Sequence, residues 1–143
     1  MKIVRVQNSN IRKLWPHVAP HLKKAVLLSP QKIAMADVLD EAETGGYGLW
    51  AIVDETNKNI VAACTTRVAI YPRTRALAID FLGGTKMKEW IEDLDTTMTA
   101  HAKELDCSFI EGFGVRAWGR VLKDYGWKAA YTTYEKELTD GHG

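Results

Sequence analysis

A buried strand that runs directly into a glycine pair constrains the fold of this chain more than any other stretch. Residues 76–82 are apolar except for Asp80, and a short apolar run bounded by turn residues predicts a buried strand. Gly83 and Gly84 follow at once and predict a tight turn that ends the strand. The rest of the chain must therefore supply the layers that cover this strand.

A long amphipathic helix is predicted immediately after the glycine pair. From Met87 to Leu105 the apolar residues recur three and four positions apart, which places them on one helical face, and Thr85 is the predicted N-cap. The N–H groups of a helix's first turn have no partner within the helix, so this turn and the two glycines predict an anion site. Lys86 and Lys88 favour that interpretation, because a cation there opposes the helix dipole unless an anion binds. The alternative is that both lysines are simply solvated.

The composition is that of a single soluble globular domain. Of the 143 residues, 46% are hydrophobic and 26% are charged, which argues against a disordered or fibrous protein. We predict one domain over residues 1–138 and a polar tail over 139–143. The net charge of +1 argues against nucleic-acid binding, and the lack of a long apolar run predicts no membrane span and a cytoplasmic location.

The cysteines and histidines do not form a recognisable metal motif. Cys64 and Cys107 each lie in an apolar, strand-like run, where a free thiol behaves as a small hydrophobic side chain, although a disulfide between them stays open. His17 and His21 are four residues apart and would share a helical face, but no third ligand lies near them. We therefore predict no metal, and interpret the histidines as plain surface or the wall of a cleft.

The remaining elements alternate between strands and helices. Pro16 and Pro20 predict that the first helix is broken or kinked, and Ser29-Pro30 is the predicted start of the second. The predicted order is a strand at 2–6, helices at 11–26 and from 29 to Gly45-Gly46, strands at 47–53, 60–71 and 76–82, the long helix, a strand at 107–113, a short helix at 115–125 and a terminal strand at 127–138.

The connections between the predicted strands indicate how they pair. The three strands from residue 47 to residue 82 are joined by short polar loops, which predicts an antiparallel meander. The strand at 107–113 follows a helix, and a right-handed crossover predicts that it lies parallel to the strand at 76–82.

This order of elements resembles the GNAT superfamily of acyl-CoA-dependent N-acyltransferases over nearly the whole chain. The resemblance is most specific at residues 81–90, 109–112 and 118–127. It implies a mixed α/β, GNAT-like fold in the order β-α-α-β-β-β-α-β-α-β(β), with a splayed, mostly antiparallel central sheet. More narrowly, the pieces LWAIVD, IYPRTRAL, LGGTKMKEW and the 118–127 run are similar to small GNAT-like proteins of bacteriophages and prophages.

The resemblance implies a binding site for acetyl-CoA in the splay between the strands that end near Leu82 and Gly112. The diphosphate would rest on backbone N–H groups, because glycine lets the backbone approach a phosphate closely and charge-assisted hydrogen bonds are strong. The implied cofactor-binding residues are Leu82, Gly83, Gly84, Thr85, Lys86 and Lys88.

Three residues are candidates for the transfer chemistry. Asp80 and Glu111 are lone carboxylates in apolar strands and could each take the proton of the acceptor amine. The tyrosine that serves as general acid in the resembling proteins falls on Leu122 here, and their helix-opening Asn falls on Val115. Tyr125 is the nearest replacement acid.

The carboxylates also have a structural interpretation. Either could face solvent or pair with an arginine such as Arg67 or Arg116, and for Asp80 this interpretation is favoured. Tyr131 and Tyr134 are further candidates for the acid, although aromatic strand residues more often serve packing.

Two functions are therefore expected in different classes. The first is an N-acetyltransferase that uses acetyl-CoA and a small or protein amine. The alternative is a catalytically inactive GNAT-like phage protein, acting as a virion or interaction component with a phage structural partner. The enzyme would lie in the host cytoplasm, and the inactive protein would lie in the virion. A CoA-binding regulatory module is a third interpretation. A homodimer is also expected, because terminal strands can leave a sheet edge open.

Overall fold

A five-stranded mixed sheet forms the centre of the structure, a computed structural model that describes residues 1–28, 32–114 and 117–138. The strands are β1 (Lys2–Arg5), β2 (Gly48–Asp54), β3 (Asn59–Ile70), β4 (Arg75–Gly84) and β5 (Phe109–Gly112), and they lie in the sheet in that order. Pairs from β1 to β4 are antiparallel, and β4 and β5 are parallel. The predicted meander and the predicted parallel crossover are both confirmed.

Helices cover both faces of this sheet. They are α1 (Ile11–Val26), α2 (Met35–Thr44), α3 (Met87–Glu104) and α4 (Ala117–Leu122), with short 3-10 segments at Asn8–Asn10 and Lys123–Tyr125. No helix in the described ranges has the length and apolar character needed to cross a membrane.

Two hydrophobic cores lie on opposite sides of the sheet, because alternate residues of a strand point to opposite faces. Trp50 and Ile52 pack with buried residues of α3 on what we call the α3 face. Leu49 and Ala51 pack with buried residues of α1 and α2 on what we call the α1 face. A third, smaller buried cluster consists of three alanines of β3 and β4: Ala69, Ala76 and Ala78.

The first helix is continuous, and the predicted break is wrong. Pro16 and Pro20 both lie inside α1, and both are exposed. They lie four residues apart on the solvent side, where water can hydrate the carbonyls that lose their N–H partners. Val18 and Leu22 on the opposite side are fully buried, so packing maintains the helix across both prolines.

The second helix begins later than predicted. Ser29, Pro30 and Gln31 lie outside the described residues, and α2 starts at Met35. The Asp37 carboxylate accepts a 2.9 Å hydrogen bond from the Ala34 N–H, which fixes the helix start there. At the other end Gly45 adopts the left-handed conformation of a C-cap, as predicted.

The glycine pair belongs to the strand instead of forming a turn. Gly83 and Gly84 are the last residues of β4, in register with Ala63 and Ala62 of β3. Thr85 continues this ladder by donating its N–H to a β3 carbonyl at 2.8 Å, so it is not the N-cap that was predicted.

No strand is present in residues 127–138, so the predicted terminal strand is wrong. Every side chain from Lys128 to Leu138 is exposed, so the alternation of side chains in this stretch buries no face against the protein. The predicted tail at 139–143 lies outside the described residues. Cys64 and Cys107 are both free thiols, so no disulfide joins them.

We expect Gly84→Ala to lower the free energy of unfolding by about 2 to 4 kcal/mol. Gly84 has a φ of +146°, and a Cβ there would collide with the Ala62 backbone. Backbone strain and overpacking each cost about 1 to 3 kcal/mol. Urea denaturation followed by tryptophan fluorescence measures the change.

Gly119→Ala is the matched control, because a Cβ at this position in α4 meets no atom within 4 Å. Its free energy of unfolding should stay the same or rise by up to about 1 kcal/mol, since alanine favours a helix. Equal denaturation midpoints for the two variants would contradict the assignment of Gly84.

Candidate functional site

A bulge in β4 lies directly after the last residue of β4 that pairs with β5. Cys64 of β3 is in register with Leu82, and Thr66 is in register with Ile79, so the single residue Thr65 faces two residues of β4. A bulge of this kind bends the strand that carries the extra residue. The pairing with β5 ends at Ile79, so β4 and β5 separate at the point where the bulge begins.

The separated part of β4 presents backbone N–H groups on its free side. In an antiparallel ladder only alternate residues bond to the partner strand. Because Thr85 donates to β3, the residues at the non-bonded positions are Gly84 and Leu82. Their N–H groups point away from β3, towards the space that β5 has left.

The start of α3 adds further donors at the same end of the strand. Its N-cap is Lys86, which has a left-handed backbone (φ 59°) and makes no side-chain capping bond. The first N–H groups of the helix, those of Met87 and Lys88, therefore lack a side-chain cap. Together with Leu82 and Gly84, these are the amides at this end of the strand that neither the ladder with β3 nor a side-chain cap occupies, and we call them the amide row.

Gly83 and Gly84 are required because the surrounding protein leaves no room for a Cβ at either position. A Cβ on Gly83 would meet the carbonyl oxygen of His21 in α1, and a Cβ on Gly84 would meet Ala62. The N–H of Gly83 lies at a bonded position of the ladder with β3, so the row contains fewer amides than were predicted.

The two lysines of this segment differ in their surroundings. Lys86 donates to the Asp54 carboxylate at 3.0 Å, and this hydrogen bond raises the pKa of Lys86 and lowers that of Asp54. Lys88 is exposed in the first turn of α3, and among the described residues it forms no ion pair. Lys88 is therefore the better placed cation for an anion at the helix start.

The bulge places Asp80 and Phe81 on the α1 face together, although neighbouring strand residues normally alternate. Phe81 packs edge-on against Tyr47, with ring centroids 6.2 Å apart. Asp80 forms a two-point ion pair with Arg67, at 2.5 Å to Nε and 3.1 Å to Nη2. The hydrogen bond to Asp80 raises the pKa of the Arg67 guanidinium. Burial, with Asp80 as a smaller cause, raises the pKa of Tyr47.

Glu111 lies on the same face of the sheet as this ion pair. In the register, Arg67 of β3, Ala78 of β4 and Glu111 of β5 form one row across three strands. The Tyr71 hydroxyl donates to a Glu111 oxygen at 2.5 Å, and among the described residues Glu111 has no ion-pair partner. The structure thus brings Asp80 and Glu111 together on one face.

Tyr125 is not part of this group. It lies in the 3-10 segment after α4 and packs against the core on the α3 face, as do Leu122 and Trp118. Val115 and Arg116, which the sequence singled out, lie outside the described residues. The replacement acid suggested by sequence distance is therefore on the other face from the two carboxylates.

The histidines have separate surroundings. His17 is exposed, and a ring nitrogen of His21 lies 2.9 Å from the Ile60 carbonyl oxygen. Within the described ranges no three His, Cys, Asp or Glu side chains are grouped closely enough to hold a metal ion.

Solved structures similar to this chain include several acetyltransferases. A probable acetyltransferase superposes with a TM-score of 0.72 at 10% identity, over 98% of this chain and 99% of that one. Ribosomal-protein-alanine N-acetyltransferase from Brucella melitensis biovar Abortus gives 0.70 at 12% identity, over 96% and 100%. A GNAT family acetyltransferase from Staphylococcus aureus gives 0.64 at 15% identity, over 96% and 100%. This chain has the GNAT fold. No protein-family model matches its sequence, and no curated protein does either.

Within this GNAT fold, three contributors to the site were missed by sequence reasoning. They are the bulge opposite Thr65, the Tyr71 hydroxyl on Glu111 and the Tyr47–Phe81 contact. A bulge leaves no mark on composition or periodicity, so only the register reveals it. Tyr71 stands just before Pro72 in a turn, and that position carries no signal for a residue two strands away.

Glu111→Gln should lower the pKa of Tyr71. In the protein, the hydrogen bond to Glu111 holds that pKa above the ordinary value of 10.0, because ionising the phenol loses this bond and places two negative charges side by side. Removing the carboxylate charge removes most of that penalty, so the phenol should ionise at a lower pH. NMR titration of the tyrosine rings, with Tyr71→Phe for assignment, measures the shift.

Glu55→Gln is the control for this titration, because Glu55 is exposed in the turn after β2. It should leave the Tyr71 titration unchanged. A Tyr71 pKa that is the same in the wild type and in Glu111→Gln would contradict the contact.

Proposed function

We propose that this chain is an N-acetyltransferase that moves an acetyl group from acetyl-CoA to an amine. The observation that carries the proposal is the bulge in β4, which separates β4 from β5 beside an open row of backbone amides. The GNAT fold supports it, since the similar solved structures include enzymes named as N-acetyltransferases.

The residues fit the diphosphate of CoA through backbone amides and one cation. The amides of Leu82, Gly84, Met87 and Lys88 face the space beside β4, and the Lys88 side chain adds positive charge there. Gly83 and Thr85 shape this segment while their N–H groups serve the sheet, and Lys86 is held by Asp54. When bound, acetyl-CoA supplies an activated acetyl thioester.

Glu111 is the better candidate for the base of the two carboxylates. Arg67 engages both oxygens of Asp80, so neither oxygen of this carboxylate is left without a donor to receive the ammonium group of an acceptor. Glu111 accepts one hydrogen bond, from Tyr71, on one oxygen. Its other oxygen can take a proton from the ammonium group of the acceptor, and Asp80 then serves to hold Arg67.

The proposed transfer balances without a tyrosine at position 122. Glu111 takes one proton from the ammonium, the neutral nitrogen forms a bond to the acetyl carbon, and the bond from that carbon to sulfur breaks with its electrons on sulfur. A thiol has a pKa of about 8.5, so its thiolate can leave without a strong acid beside it. The second proton of the nitrogen passes to the thiolate through solvent. Tyr125 is the candidate acid for a route in which a side chain protonates the thiolate.

A GNAT-fold protein without catalysis is the second candidate function. The ion-paired Asp80, the leucine at position 122 and the reduced row of amides favour it. Large aromatic side chains are exposed near the outer strand β5, namely Phe109 and Phe113, and such side chains mark contact surfaces. The partner would be a phage structural protein or a second copy of the chain, whereas the enzyme would work in the cytoplasm.

We expect Lys88→Glu to weaken CoA binding about tenfold, because it puts a negative charge beside the proposed diphosphate site. Isothermal titration calorimetry with CoA measures the affinity. Lys13→Glu is a matched control, since Lys13 is likewise an exposed lysine in the first turn of a long helix. Equal affinities for both variants would contradict the placement, and no binding to the wild type at millimolar CoA would end the proposal.

An assay of acetyl transfer distinguishes the two candidate functions. With acetyl-CoA and a panel of amines, the wild type should release free CoA thiol, and Glu111→Gln should reduce kcat about 100-fold or more, in the range of a lost general base. Asp80→Asn should have a smaller effect on kcat. A wild type that binds CoA and never releases thiol would favour the inactive protein.

A further inference from the structure

The strip of the α1 face between Arg67 of β3 and Glu111 of β5, which we call the trough, holds a carboxylate, Glu111, that has no ion-pair partner among the described residues. Its floor is the alanine cluster of Ala69, Ala76 and Ala78, to which no described residue of α1 or α2 belongs. Ala78 lies in register between Arg67 and Glu111, so these two long side chains stand on either side of a small one. Neighbouring strands are about 4.8 Å apart, so the backbones of Arg67 and Glu111 are about 10 Å apart.

The charges in this trough sum to one negative charge among the described residues. Asp80 and Arg67 cancel each other in their two-point ion pair. Glu111 has a phenol as its hydrogen-bond donor and no described cation within ion-pair distance. The missing partner of Glu111 is a cation with N–H donors.

Aromatic side chains surround Glu111 on the same side of the sheet. Phe109 lies two residues earlier in β5, on the same face, and is 61% exposed. Tyr71 bonds to Glu111 and is 44% exposed. Aromatic faces attract ammonium groups and also cover the alkyl chain of an amine. A carboxylate flanked by two exposed aromatic rings is suited to an alkylammonium.

A buried polar group without a partner lies at the inner end of the trough. Thr65 is two residues before Arg67 on the same face of β3 and faces the bulge in β4. It is fully buried, and its hydroxyl has no hydrogen-bond partner. A buried hydroxyl is rarely left unpaired, so a polar group of a ligand or a bound water is expected at this end. This position lies where β4 and β5 separate, beside the proposed acetyl group.

We propose that the acceptor is an alkylamine with no anionic group near its amine, bound as an ammonium by Glu111 between Tyr71 and Phe109. This inference rests on the proposed transfer, because it names the acceptor of that reaction. An amine that carries a carboxylate or a phosphate would meet the unpaired charge of Glu111, and the nearby Arg67 is already engaged by Asp80. On this charge argument, simple alkylamines and diamines are the proposed acceptors, and amino acids and sugar phosphates are excluded.

Direct binding of two matched amines tests the proposal without any need for turnover. The probes are n-butylamine and 4-aminobutanoate, which have equal carbon chains and differ in the terminal carboxylate. NMR titration of isotope-labelled protein should show n-butylamine binding at least about tenfold more tightly than 4-aminobutanoate, with shifts confined to residues of β3, β4 and β5 around Glu111. Charge-assisted bonds are strong enough for an effect of this size.

Variants show whether the trough is responsible. Glu111→Gln should weaken n-butylamine binding about tenfold, and the exposed Glu55→Gln should leave it unchanged. Equal affinities for the two amines, or for the wild type and Glu111→Gln, would overturn the inference. Failure of the transferase proposal is measured separately, as the absence of CoA binding in calorimetry. If the protein acetylated 4-aminobutanoate as well as n-butylamine, the transferase proposal would stand and the proposed acceptor would be wrong.

Discussion

The extra residue in β4 is the constraint on which the rest of the site depends. A strand of regular pleat would place Asp80 and Phe81 on opposite faces and would continue to pair with β5. With the bulge, both side chains lie on the α1 face, where one meets Arg67 and the other meets Tyr47. The same bend ends the ladder with β5 after Ile79. One local irregularity therefore lies where the pairing of β4 with β5 ends, and it places charged groups next to that point.

Beyond the bulge, the backbone groups of β4 could serve either the pairing with β3 or the binding of a ligand. Its bonded positions are committed to β3 as far as Thr85, and the carbonyl of His21 and the backbone of Ala62 leave no room for side chains at Gly83 and Gly84. The glycines are thus needed for close packing, and the groups left over for a ligand are those on the side away from β3. The proposed anion site would therefore use only backbone N–H groups that the sheet does not require.

Sequence patterns identified most of the fold because hydrophobic periodicity is a local signal. The strands at β2, β3 and β4 and the long helix α3 lie within one or two residues of their predicted bounds. Errors occurred where a long-range contact outweighed local preference. Thr85 has the side chain of an N-cap, but its backbone bonds to β3 instead, and α1 continues through two prolines because its buried side is well packed. The terminal strand was predicted from the alternation of side chains, but from Lys128 to Leu138 every side chain is exposed and no described strand pairs with the segment.

The candidate site was less predictable than the fold, because its chemistry depends on pairs that are distant in sequence. Asp80 and Glu111 were both identifiable as lone carboxylates in apolar strands, yet the sequence could not distinguish their roles. The distinction comes from their partners: a guanidinium that engages both oxygens in one case, and a single phenol in the other. A carboxylate held by a guanidinium at both oxygens has no oxygen left without a donor, whereas one that accepts a single neutral donor keeps one oxygen for a cation. Two residues of the same chemical type on one sheet face thus have different surroundings, since Asp80 holds Arg67 whereas Glu111 keeps one oxygen for the proposed ammonium group.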